Sequence, residues 1–140
     1  MQHSKEEILE FIYSQPRMVI STSSPDGKIV SAVVGFGQTD KFELVFGTLI
    51  NTRKAQNILS NANVSIVIGF DHGGTVQYNG VARILNGKES DEYAEYHFKK
   101  HPKSRQYKDE PGEVYILVEP KWLRFTEVAF SPWKTTELLF

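Results

Sequence analysis

Apolar positions recur along the chain in two rhythms, one of three to four residues and one of two. Ile8, Leu9, Phe11 and Ile12 follow the first and form a helical stripe. Ser4-Lys5-Glu6-Glu7 before them is a capping box, in which Ser4 and Glu7 satisfy each other's free backbone donors, and the helix ends near Gln15-Pro16. Met18 to Thr22 is a short β-branched run, closed by the turn Ser24-Pro25-Asp26-Gly27. Ile29 to Phe36 is apolar on both faces, which predicts a strand inside a barrel or sandwich. Thr39-Asp40-Lys41 turns the chain into a strand from Phe42 to Gly47. Val64 to Phe70 and Thr75 to Leu85 predict strands on either side of Asp71-His72-Gly73-Gly74. Val114 to Glu119 and Trp122 to Val128 complete the set, with Pro120 between them. Further helices are predicted over Arg53 to Ser60 and Asp91 to Lys100, the second stopped by Pro102. The sum is a single, mainly β domain over residues 1–140: six to seven antiparallel strands closed into a small barrel, with peripheral helices.

Composition narrows the chemistry. Of 140 residues, 40% are hydrophobic and 24% charged, ordinary globular usage that argues against disorder. Lys plus Arg is 16 against 17 for Asp plus Glu, so no overall field draws the chain to nucleic acid or an anionic membrane. Any anion site must be a local cluster. Cysteine is absent, which removes disulfides, thiolate metal sites and a cysteine nucleophile together. The longest nearly apolar run, Ile29 to Gly37, is well short of the roughly 18 residues a membrane helix needs. The N-terminus carries acids where a signal peptide needs basic and then apolar residues, so a cytoplasmic protein is expected.

One helix breaks a local rule. The first opens on Glu6 and Glu7, and the third opens on Asp91 and Glu92 and closes on Lys99, Lys100 and His101, as the helix dipole favours. The middle helix opens instead on Arg53 and Lys54, just after its cap, Asn51 or Thr52. Two cations there cost about 0.3–1 kcal/mol each. A bound phosphate would offset that cost, taking free N–H groups, the Thr48 and Thr52 hydroxyls, the Arg53 fork and the Lys54 charge. A solvated Arg-Lys pair on a turn is the alternative. Further on, alternation puts Thr75, Gln77 and Asn79 on one strand face, where they can bond the edge of a planar heterocycle or meet water.

In this order the motifs resemble the flavin-binding split-barrel family typified by pyridoxamine 5'-phosphate oxidase. They run from Met18-Val19-Ile20-Ser21-Thr22 and Pro25-Asp26-Gly27 through Phe46-Gly47-Thr48, Thr52-Arg53-Lys54 and Asn57-Ile58. They continue through Asn63-Val64-Ser65-Ile66, Val76-Gln77-Tyr78-Asn79-Gly80-Val81-Ala82, His101-Pro102 and Val118-Glu119-Pro120. The resemblance implies a homodimer with FMN at the subunit interface. It also implies that Thr52, Arg53 and Lys54 hold the 5'-phosphate, while the backbone of Val33, Val34 and Gly35 lies along the flavin ring. Phe46, Gly47 and Thr48 are expected along the ribityl chain, and Gln77 reaches FMN from a neighbouring strand. The strand from Ser31 to Phe36 lacks the basic residues that contact FMN in the true oxidases, and the C-terminal stretch lacks their Arg-rich substrate motif. The short, general-stress-protein-like members are the better match, with a small-molecule substrate other than pyridoxamine phosphate.

Other constellations read as structure. His97 and His101 stand four apart on the third helix, but without a fixed acidic partner they read as a solvated, frayed helix end rather than a metal site. The hydroxyl run Ser21 to Ser24 assembles no nucleophilic triad, and the scattered carboxylates read as caps or solvated faces. No metal and no catalytic acid or base is assigned. The apolar tail, Phe130 to Phe140, packs either on its own subunit or across a dimer partner, with Trp133 placed near the flavin in the second case. Three functions therefore stand: an FMN-dependent oxidoreductase; a deazaflavin or haem protein, the haem held by His72, His97 or His101; and a non-enzymatic β-barrel binding module. With aromatics at 12% the last could stack bases, but the absence of a basic stripe opposes nucleic acid.

Overall fold

The computed structural model describes residues 2–71 and 73–140, so the turn residue His72 lies outside the described residues. The elements run α1 (Lys5–Ser14), β1 (Arg17–Ser23), β2 (Ile29–Gly35), β3 (Gly37–Gln38), β4 (Leu44–Leu49) and α2 (Arg53–Ser60). They continue with β5 (Asn63–Ile68), β6 (Gly74–Ile84), α3 (Gly87–Lys100), a 3₁₀ turn (Pro102–Tyr107), β7 (Glu113–Glu127) and β8 (Lys134–Leu139). Every strand pairing is antiparallel, in the order β2-β1-β5-β6-β7-β4-β3, with β8 also on β7. The sheet curls round one core, a split barrel with peripheral helices. No helix among the described residues is long and apolar enough to cross a membrane.

The capping box forms as expected, with the Ser4 hydroxyl accepting from the Glu7 amide at 3.1 Å and Glu7 accepting from the Ser4 amide at 3.1 Å. Ile8 and Ile12 then point into the barrel beside Met18, Ile20, Phe36, Phe46 and Tyr78. Tyr78 donates to the Phe42 carbonyl at 2.8 Å, which ties the core to a turn where Phe42 takes φ of +64°. Gly27 at φ +83° closes the β1–β2 hairpin. A smaller core lies between α3 and the sheet, where Val45, Tyr115 and Leu117 meet Leu85, Ala94 and Phe98.

Four expectations need correction. Pro120 does not divide the last strand. β7 runs for 15 residues, with β6 along one edge, β4 on the first half of the other and β8 on its second half. Pro120 sits at the changeover, where a missing N–H costs no ladder bond. Lys121 is the extra residue, because Asn79 pairs with Trp122 while Gly80 pairs with Pro120. Second, α3 starts at Gly87, so Glu89 rather than Asp91 and Glu92 occupies its first turn.

Third, the tail, expected to pack on its own subunit or across a partner, forms β8 against β7 of its own subunit, a strand that the apolar pattern did not predict. Thr136 and Leu138 of β8 are buried, and Thr136 Oγ1 accepts from the His3 amide at 2.9 Å, so the N-terminal segment docks on this strand. Phe140 packs on Phe42 with ring centres 5.5 Å apart. Fourth, β2 buries only one face. Val34 points inward, whereas Ile29 and Val33 are 73% and 61% exposed at the edge of the sheet.

Candidate functional site

The N-terminus of α2 is built by local hydroxyl chemistry. Thr52 is the cap; its Oγ1 accepts from the Ala55 amide at 3.4 Å and donates to the Leu49 carbonyl at 2.9 Å. Its one proton is thereby spent, so in the 3.2 Å contact between the Thr48 and Thr52 hydroxyls Thr48 is the donor. Both threonines shape the corner. The donors left over are the Arg53 and Lys54 amides, which precede the first intrahelical bond, together with their side chains. Among the described residues neither cation has a carboxylate within 4.0 Å. Asn57 anchors the helix behind them, donating to Thr22 Oγ1 at 3.1 Å, and Gln56 braces the approach loop through the Ile50 carbonyl at 2.8 Å.

Lys54 lines a cleft of about 320 Å³ together with Val33, Val34, Gly35 and Gly47, so five of the sequence-selected residues meet in one place. The remaining wall comes from His97 of α3 and its C-cap His101, Ser104 and Tyr107 of the 3₁₀ turn, and Glu113 at the start of β7. Gly47 is required there, since a methyl group on it would lie 2.9 Å from the Tyr115 ring and 3.1 Å from the Glu113 carboxylate. Thr48 is buried next to this corner. Phe46 is also buried, but its side chain belongs to the barrel core and does not line the cleft.

Two selected residues lie elsewhere within the subunit. Gln77 is on the outer sheet face with Thr75 and Asn79, as the alternation predicts. It stands in one cross-strand row with Val67, Val19 and Val33. Three strand spacings of roughly 4.8 Å separate Gln77 from Val33, on the order of 14 Å. Trp133, 64% exposed, precedes β8 at the end of β7 where Glu127 pairs with Lys134. The N-terminus of α2 adjoins the opposite end of β7, where Glu113 pairs with Leu49.

The residues that the sequence reading misplaced are the histidines. His97 is 7% exposed, packed between the tilted rings of His101 and Tyr115 at centre distances of 5.3 and 6.5 Å, and is no frayed helix end. The signal was present in the spacing: Ala94, His97, Phe98 and His101 share one helix face, and two of the four are core residues. Burial, with the charges of His101 and Lys100, pushes the His97 imidazole down to about 4, so it is neutral near pH 7. Burial and Glu113 push the Tyr115 phenol up to about 12. Burial and Glu110 raise the Glu113 carboxyl. His97 Nδ1, His101 Nε2 and the Tyr115 hydroxyl are buried without hydrogen-bond partners among the described residues. Each such atom costs about 1–3 kcal/mol, which a core of plain apolar residues would avoid.

The neutral His97 gives a stability signature. Its folded-state pKa lies below the ordinary 6.5, so the unfolded chain takes up the proton first as pH falls. The stabilisation is therefore complete above about pH 6.5 and is lost between there and about pH 4. Wild type should lose about 2–3 kcal/mol more than His97→Gln between pH 7.5 and 4.5 in urea unfolding. Parallel losses in the two proteins would contradict this assignment.

Residues 4–127 match the family described as pyridoxamine 5'-phosphate oxidase. A comparison with curated protein sequences gave no match. General Stress Protein 26 from Bacillus anthracis shares the fold at 23% identity and a TM-score of 0.76, over 97% of this chain and 98% of that one. A heme binding protein from Mycobacterium smegmatis superposes with a TM-score of 0.79 at 17% identity, over 97% of this chain and 59% of its own. Campylobacter jejuni ChuZ does so at 0.81 and 18%, over 96% of this chain and 58% of its own.

Proposed function

The chain belongs to the pyridoxamine 5'-phosphate oxidase family, and we propose from that premise that it binds FMN in the cleft between β2, α2 and α3. We infer further that it serves as an FMN-dependent oxidoreductase for a small molecule other than pyridoxamine phosphate. The observation that carries this reading is the uncompensated pair Arg53 and Lys54 at a helix N-terminus, with Lys54 facing the cleft. Free backbone donors, a planar guanidinium and an ammonium together suit a phosphate dianion. The Val33–Gly35 backbone offers a flat surface for a ring, and Gly47 leaves room beside it. Bound flavin supplies two-electron transfer; this chain's residues bind, orient and enclose it.

The reading includes a homodimer. Gln77 is roughly 14 Å from Val33 on the same outward face, so it reaches a flavin only in a neighbouring subunit. The open face that Ile29, Val33 and Val67 share with Gln77 is the apolar surface such a partner would cover. Trp133, distant from the cleft of its own subunit, falls under the same argument.

The deciding experiment is the visible spectrum of purified protein before and after FMN addition and desalting. Retained bands at roughly 370 and 450 nm are expected for bound oxidised flavin. A Soret band would transfer the cleft to haem, for which the neutral His97 and unpartnered His101 are candidate ligands. A single deazaflavin band would change the cofactor and keep the cationic corner. Colourless protein that cannot hold FMN would leave a binding module.

A further inference from the structure

The α3 side of the cleft carries two imidazoles that the fold does not use. His97 Nδ1 and His101 Nε2 are both buried without a partner among the described residues, in rings 5.3 Å apart. Their neighbours on the same helix face, Ala94 and Phe98, are apolar members of the smaller core, which asks for no histidine at either position. Nor does the 3₁₀ turn that follows, whose first residues are tied by the backbone bond from Ser104 to the His101 carbonyl at 3.0 Å. Unpartnered polar atoms kept at a cleft are what a ligand's own polar atoms complete.

Position strengthens the point. The His101 ring lies over β2: a methyl group on Gly35 would meet its Nε2 at 3.5 Å and its carbon atoms at 3.6 and 3.7 Å. The imidazole therefore stands against the Val33–Gly35 stretch proposed to carry the flavin ring. β2 has no basic side chain between Ser31 and Phe36, so polar donors on that side of the cleft come from α3. The titratable groups around His101 are His97 and Lys100 on α3, Tyr107 on the 3₁₀ turn, Glu113 on β7 and Lys54 on α2.

We propose that His101 contacts the bound flavin, donating a ring N–H to an acceptor on its heteroaromatic edge, and that His97 is a positioning residue behind it. This rests on the FMN reading above. The test is fluorescence titration of FMN into wild type, His101→Phe, His101→Gln and His97→Phe, with thermal unfolding of each. Loss of one such hydrogen bond weakens binding about three- to tenfold, so His101→Phe should bind that much less tightly at an unchanged melting temperature. His101→Gln, which keeps a donor, should recover most of the loss. His97→Phe should shift the absorption maximum of the bound flavin less than His101→Phe does. Should His101→Phe fold poorly, the His101 ring resonances of wild-type protein supply the readout, since FMN addition should move them. Wild-type affinity and spectrum in His101→Phe, or unmoved resonances on saturation, would overturn the inference and leave the FMN reading standing. A wild type that binds no FMN would overturn both.

Discussion

The double variant Arg53→Ala, Lys54→Ala should fold as well as wild type, melt no lower, and fail to retain FMN through desalting. Both side chains crown the positive end of α2 without a carboxylate partner among the described residues. Removing them relieves an unfavourable charge–dipole interaction of about 0.3–1 kcal/mol per residue. Alanine also propagates a helix at least as well as the residues it replaces. The binding side moves the other way. Two charge-assisted contacts to a phosphate contribute about 1.5–3 kcal/mol each, so affinity should fall by about a hundredfold to ten thousandfold. Thermal unfolding of the apo-protein and a fluorescence titration measure the two effects separately. Loss of the ligand from a protein that melts no lower is the signature of a functional helix end, because removing a merely solvated pair would relieve the same dipole cost and leave FMN affinity unchanged. Undiminished FMN affinity in the double variant would refute the phosphate assignment.

That corner was legible in the sequence because it violates a rule that a single helix states by itself. α1 and α2 were legible for the same local reason: a capping box in one, and a cap followed by an apolar face in the other. What stayed hidden depends on contacts between distant segments. α3 opens at Gly87 after Asn86, whose side chain makes no capping bond, so no signal marks its start. β8 hides its alternation because one of its inward residues is Thr136, buried for the sake of His3. Pro120 reads as a break until the far edge of β7 is seen to change partners there. The exposed face of β2 reads as buried because Ile29 and Val33 are apolar although the sheet leaves them uncovered. The histidine wall is hidden more deeply. His97 and His101 acquire their meaning only when the sheet brings Gly35 and Tyr115 against α3.

That packing makes Gly37→Ala the most damaging small substitution expected in this chain. β3 crosses α3 so closely that a methyl group on Gly37 would overlap the Tyr96 carbonyl oxygen and lie 2.6 Å from the His97 nitrogen. Both obstacles are helix backbone, which cannot rotate aside as a side chain can. Accommodation requires α3 to move outward by roughly 1 Å, against a core that resists overpacking at about 1–3 kcal/mol even where only side chains must yield. A destabilisation of about 3 kcal/mol or more follows, a fall in melting temperature of roughly 10 °C for a chain of this size. The displaced residues include His97 itself, with His101 one turn further on, so FMN affinity should fall as well. Gly35→Ala is the matched control. Its methyl group would rest at ordinary contact distance, 3.5 Å from the His101 ring, and should leave the melting temperature within a few degrees of wild type. A Gly37→Ala protein as stable as Gly35→Ala would mean that α3 is not seated on β3 as closely as described, and the histidine wall would lose its anchor with it.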